Sequence, residues 1–103
     1  MSLAFALLPS NDAVHKYFAM YLDADMKPHK IYFGAKGYED YTTSKDKKRK
    51  QLYIDRHKKR EDWTDAMTAG FWAKHILWNK ETIKESVEDI EKKHKITILN
   101  MLD

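Results

Sequence analysis

The spacing of apolar positions changes along the chain, and each change marks an expected element. The opening run "MSLAFALLPSND" is apolar as far as Leu8 and is closed by Pro9, Ser10, Asn11 and Asp12. Residues 1–14 are therefore expected to form an arm or strand, since the run is far shorter than the roughly 20 residues of a membrane span and no basic segment leads it. "HKYFAMYLD" sets Tyr17, Ala19 and Tyr21 on one face and Phe18, Met20 and Leu22 on the other, the pattern of a strand covered on both sides. After the turn residues "ADMKP", "HKIYF" alternates Ile31 and Phe33 against Lys30 and Tyr32, a strand with one wet face. Residues 15–33 thus predict a β-hairpin.

Beyond a glycine-punctuated connection, the period becomes helical. "KDKKRKQLYIDRHKKRE", residues 45–61, predicts a basic helix that any of Thr42, Thr43 or Ser44 can cap. Its apolar stripe is thin, with Tyr53 and the stem of His57 inward and Leu52 and Ile54 beside them. "EDWTDAMTAG" reads as a loop. Residues 68–79 then predict a buried core helix, in which Phe71, His75 and Trp78 recur at helical spacing with Trp72, Ile76 and Asn79 alongside. Residues 82–94 predict an amphipathic helix, opened by a capping box of Thr82 and Glu85 and carrying Ile83, Val87, Ile90 and His94 on one face. Residues 95–103 alternate enough for a short strand or a docked tail. These elements compose a single α+β domain over residues 1–103: a small N-terminal antiparallel hairpin or sheet packed by about three helices.

Composition agrees with one folded domain. The 103 residues are 43% hydrophobic and 13% aromatic, which is ample apolar area for a core. The net charge of +3 is small, but its distribution is not even. Between Lys45 and Arg60 nine basic residues face two acidic ones, a local charge of +7 that leaves the rest of the chain at −4. The absence of cysteine excludes disulfides and thiolate metal sites.

No reaction is written in the sequence. His15, His29, His57, His75 and His94 are scattered and form no pair at metal-ligand spacing, and His75 reads as a satisfied core histidine. Glu61, Asp62 and Asp65 around Trp63 suit a solvated loop or a helix cap better than a divalent ion. Gly34-Ala35-Lys36-Gly37 resembles the GxxG loop with which KH domains clamp a nucleic-acid backbone. That loop joins two helices, however, whereas this one follows a strand, so a tight turn with positive φ is expected, with Tyr38 and Tyr41 folded back on the sheet. No phosphate-binding, dinucleotide or nucleophile motif is present, and no catalytic residue, metal or cofactor is expected.

The residues "YFGAKGYEDYTTSKDKKRKQLYIDRHKKREDW" and "MTAGFWAKHILWNKETIKESVEDI", between about residue 31 and residue 90, resemble a family of small uncharacterised proteins encoded by large DNA viruses of algae and amoebae. In place of a proline common in that family before the last helix, this chain has Glu81. That family has no assigned reaction and no established catalytic residues to carry over; with the motif absences above, the chain is expected to be a non-enzymatic structural component of a large DNA virus particle, a minor capsid or internal virion protein made in the infected cell's cytoplasm, with other virion or capsid proteins as partners. Contact is expected through Lys47, Lys48, Arg49, Lys50, Arg56, Lys58, Lys59, Arg60 and Trp63. The alternative is non-specific DNA or RNA binding by the basic helix, with Tyr53 or Trp63 stacking on bases. A merely solvated face is compatible with the virion role. Whether the chain forms homo-oligomers is left open by the sequence.

Overall fold

A computed structural model describes residues 3–102 of the protein. Residues 1, 2 and 103, the tips of the expected arm and tail, lie outside the described residues. Four strands form one mixed sheet: β1 (Leu3–Pro9), β2 (His15–Leu22), β3 (Pro28–Ala35) and β4 (Ile96–Asn100), in the order β3-β2-β1-β4. Between β3 and β4 the chain forms α1 (Tyr41–Ser44), α2 (Lys47–His57), α3 (Ala69–Trp72), which runs on into a π-helical turn (Ala73–Leu77), and α4 (Ile83–His94). The class is α+β, with the N-terminal strands preceding the helices.

The hairpin forms in the register its alternation demands, with Tyr17 opposite Phe33 and Ala19 opposite Ile31. Its turn is closed by Asp23, whose carboxylate accepts from the backbone N–H groups of Asp25 and Lys27 at 2.9 and 3.0 Å, while Met26 takes a left-handed φ of +64°. Asp12 does the same between β1 and β2, accepting from the N–H groups of Val14 and His15 at 2.9 and 2.6 Å. The arm is thereby a full strand, antiparallel to β2. The C-terminal segment is a strand as well, parallel to β1 with Phe5 level with Ile98.

One expectation for the sheet fails. Tyr17, Ala19 and Tyr21 lie on the core face, but Phe18, Met20 and Leu22 belong to the opposite face and are neither in the core cluster nor among the hydrophobic residues packed against it. Trp72 organises the side that carries the core. It is fully buried, with Phe5, Phe71 and Phe33 at centroid distances of 4.9, 5.1 and 6.4 Å, and its indole N–H donates to the carbonyl of Ala66 at 2.8 Å.

The core helix is shorter and less regular than the expected 68–79. Thr68 caps it by accepting the N–H of Phe71 at 3.2 Å, and the α turns widen into the π turn from Ala73. Widening lets Phe71, Trp72, His75, Ile76 and Leu77 all be buried, more than one stripe of a regular helix provides. In α4, Thr82 accepts the N–H of Glu85 at 3.1 Å, and its hydroxyl donates to the Glu85 carboxylate. Val87 and Ile90 face the core. Near the helix end, Glu91 reaches the outermost strand and accepts the N–H of Ile98 at 2.9 Å.

Gly34 and Gly37 both occupy the left-handed region, at φ +76° and +86°, which supports the turn reading of this tetrad. They differ in surroundings. A Cβ at Gly34 would stand 2.8 Å from Leu77 Cδ1, whereas one at Gly37 would meet nothing within 4 Å. Gly34→Ala is therefore expected to lower stability by about 2–3 kcal/mol and Gly37→Ala by only about 1 kcal/mol. Urea melts of the two variants check this, and equal losses contradict it.

Candidate partner-binding surface

The expected contact residues lie on or beside α2. That helix starts later than the sequence suggests, because Thr42, Thr43 and Ser44 are spent in α1, which Lys45 ends with a left-handed φ of +54°. Asp46 is the actual cap, accepting from the N–H groups of Lys48 and Arg49 at 3.0 and 3.2 Å. The helix also ends earlier, at His57 instead of Glu61. Lys58, Lys59 and Arg60 offer no apolar group to bury and repel one another, so the chain leaves the helix in a turn closed by the Arg60 N–H on the His57 carbonyl.

Two contacts tie this charged segment to the domain. Buried Asp40 caps α1 and accepts from Lys16 Nζ of β2 at 2.6 Å. Tyr53, the one buried residue of α2, lies between His57 and Trp78, at centroid distances of 4.1 and 4.6 Å and nearly parallel to both. Burial, with the nearby Glu61 carboxylate, raises the Tyr53 pKa, so its hydroxyl stays neutral. Leu52 does not flank it inward. It is mostly exposed, and with Arg49, Tyr53 and Arg56 it forms the α2 wall of an open cleft of about 670 Å³ between α2, the end of β3 and the π turn. Tyr38 also departs from expectation, projecting at 74% exposure on the cleft's rim, while Tyr41 is buried as expected.

The nine expected contact residues divide into two groups. Lys47, Lys48, Arg56, Lys59 and Arg60 are exposed and form no ion pair among the described residues. The other four are engaged within the domain. Arg49 pairs with Glu39 at 2.7 Å, and Lys58 approaches Asp55 at 3.6 Å. Lys50 donates to the carbonyl of Asn79 at 2.6 Å and sits over the Tyr41 ring. Burial, then repulsion from Lys80, lowers its pKa. Trp63 is half-buried, with its indole N–H donating to Glu61 at 2.9 Å and Lys74 Nζ 5.4 Å from its ring centre.

Residues 6–57 match a family of unknown function, DUF5754. The protein belongs to the DUF5754 family. The match spans half of the chain and runs from within β1 to the end of α2, so it takes in two N-terminal strands, β1 and β2, that lay outside the resemblance read from the sequence. No curated protein and no solved structure matches the chain.

The acidic loop of this DUF5754 member is used locally. Glu61 accepts from His57 and Trp63, Asp62 from the Thr64 N–H, and Asp65 from the Met67 N–H. Among the described residues no group of three or more His, Asp and Glu side chains could hold a metal ion, and no helix is long and apolar enough to cross a membrane. Sequence reasoning missed the cleft and the cluster of Lys50, Lys74, Lys80 and Lys93 around Asp89. The latter is assembled from three separate segments, and burial followed by Lys50 and Lys93 lowers the pKa of Lys74. Local spacing carries no signal for either.

His75 fixes the loop that holds Trp63. Its Nε2–H donates to the Trp63 carbonyl at 2.9 Å, which identifies the neutral tautomer with a bare Nδ1. Burial pushes its pKa down to about 4; Lys74 and His94 push the same way, while the bond to Trp63 and the Asp89 charge oppose them. Between the unfolded value of about 6.5 and the folded value the unfolded chain binds the extra proton. His75 thus contributes stability that is complete above about pH 6.5 and is lost as pH falls toward 4, up to about 3 kcal/mol. His75→Gln keeps a donor for the Trp63 carbonyl and removes the titration. Urea melts from pH 7 to pH 4 are expected to show wild type losing more stability than the variant, and parallel curves contradict the assignment.

Proposed function

We propose that the chain is a non-enzymatic structural component of a large DNA virus particle, a minor capsid or internal virion protein, which acts by protein–protein contact through the cationic side of α2. The viral placement rests on the two ordered blocks between residues 31 and 90. The contact role rests on one observation: five exposed cations, Lys47, Lys48, Arg56, Lys59 and Arg60, stand on and just beyond a helix anchored to the core, with no ion pair among the described residues. A fixed cationic surface without its own counter-charge selects an acidic partner and steers its approach.

Tyr53 and Trp63, the two rings expected to stack on bases, are engaged within the domain, which weighs against that use of them. Single-strand binders stack bases on exposed rings. Both faces of Tyr53 are covered by His57 and Trp78, and Trp63 is held by Glu61 and Lys74. The same five cations support a second reading, non-specific attraction to DNA or RNA backbone, for which no ring is needed.

Mass spectrometry of purified particles of the encoding virus tests the first reading. The chain is expected among the particle proteins, and its presence in infected cells but not in particles sinks the proposal. Titrating the protein with duplex and single-stranded DNA at several salt concentrations tests the second. Backbone binding gives log K falling with log salt at a slope no steeper than about −4 to −5, relaxed by about 2 in the Lys47→Glu/Lys48→Glu variant. Absence of affinity at low salt removes that reading.

A further inference from the structure

We propose that the lysines gathered around Asp89, between α2, the π turn and α4, form a binding site for a compact polyphosphate anion, either a free triphosphate or the triphosphate of a nucleotide. The inference does not depend on the virion reading. Buried Asn79 builds the site: its carbonyl accepts from Lys50 Nζ of α2 at 2.6 Å, and its side-chain amide donates to the Asp89 carboxylate of α4 at 2.8 Å. The other Asp89 oxygen lies 3.2 Å from Lys93 Nζ, one turn further along α4. Lys74 of the π turn enters beside His75, whose ring meets that of His94, the neighbour of Lys93, at 4.6 Å, and its ammonium is repelled by those of Lys50 and Lys93. Lys80 follows Asn79 directly, and its charge is felt by both Lys50 and Asp89. Four ammonium groups from separate segments are thus assembled on one carboxylate whose side chain is only 15% exposed.

The excess charge and its chemistry select the ligand. Four positive charges against one negative leave +3 at the site. Two of the four lysines are partly buried, and burial, then repulsion from neighbouring lysines, lowers the pKa of both Lys50 and Lys74. The fold therefore holds like charges together against their repulsion, and an anion seated among them relieves it. Donors are also left over, since Lys74 and Lys80 form no ion pair among the described residues. No arginine belongs to the cluster. The planar carboxylates of an acidic peptide are better matched by the arginine fork, whereas lysine point charges converging from several directions suit phosphoryl oxygens.

The site favours a short anion over a long one. Lys47 adds to the field at Lys50 on the α2 side. Beyond Lys80, however, three exposed carboxylates, Glu81, Glu85 and Glu88, outnumber Lys84, so a long polyanion crossing toward the start of α4 is repelled there.

Isothermal titration calorimetry of the full chain in about 0.1 M salt tests this, with sodium tripolyphosphate, magnesium-free ATP and hexaglutamate as probes. Tripolyphosphate is expected to bind once per chain with Kd below about 100 µM, and hexaglutamate at least about tenfold more weakly. ATP as tight as tripolyphosphate shows that phosphates alone are read, and ATP at least about tenfold tighter shows that the nucleoside is read as well; either supports the site. Lys74→Met keeps the partly buried stem and should weaken tripolyphosphate at least about threefold. Lys80→Gln, at an exposed position, should do likewise and covers the case in which Lys74→Met does not fold. The Lys59→Glu/Arg60→Glu variant, altered beyond the far end of α2, should bind tripolyphosphate as wild type does. Absence of tripolyphosphate binding at about 1 mM overturns the proposal, as does hexaglutamate binding equally well, or a loss in the Lys59→Glu/Arg60→Glu variant that matches or exceeds the loss in Lys80→Gln.

Discussion

The ring of Tyr53 is the contact on which the charged half of the structure depends. α2 has one buried residue, and its first turn is lysine and arginine whose heads mostly stay in water. Ordinary amphipathic packing is not available to such a helix. It is attached instead by an aromatic stack that uses both ring faces, with His57 from the helix itself and Trp78 from the end of the core helix. The pair of buried Asp40 and partly buried Lys16 fixes the segment that leads into it. Together they convert a run of charge that could trail in solvent into a surface of defined orientation.

How much of this was legible in the sequence follows from the range of the interactions. Elements set by local chemistry were readable: the β2–β3 alternation, the Thr82 cap and the inward face of α4 all rest on residues a few positions apart. The mixed character of the sheet was not, because the pairing of β4 beside β1 spans nearly the whole chain and depends on where α4 deposits it. The ends of α2 were misjudged for a similar reason. Ser44 and the threonines before it can cap any helix, and only the left-handed turn at Lys45 shows that they serve α1.

The candidate surface was half legible. Charge density pointed to α2, but spacing could not say which cations the fold keeps for itself. Lys50 is drawn in by a carbonyl 29 residues away and Trp63 is held by Lys74, both consequences of tertiary packing. The open sheet face shows the same limit in reverse. Phe18 and Met20 look like core residues in the sequence, since hydrophobic alternation reports that a face is apolar and not which partner covers it.

The bond between Glu91 and the Ile98 N–H bears on how such a molecule can assemble. β4 is a border strand, and border strands offer free backbone groups to any passing extended chain. Here a carboxylate from α4 already occupies one of those donors and places a negative charge beside the ladder. Lateral recruitment of further strands, the route by which sheets lengthen into fibrils, is obstructed at that margin.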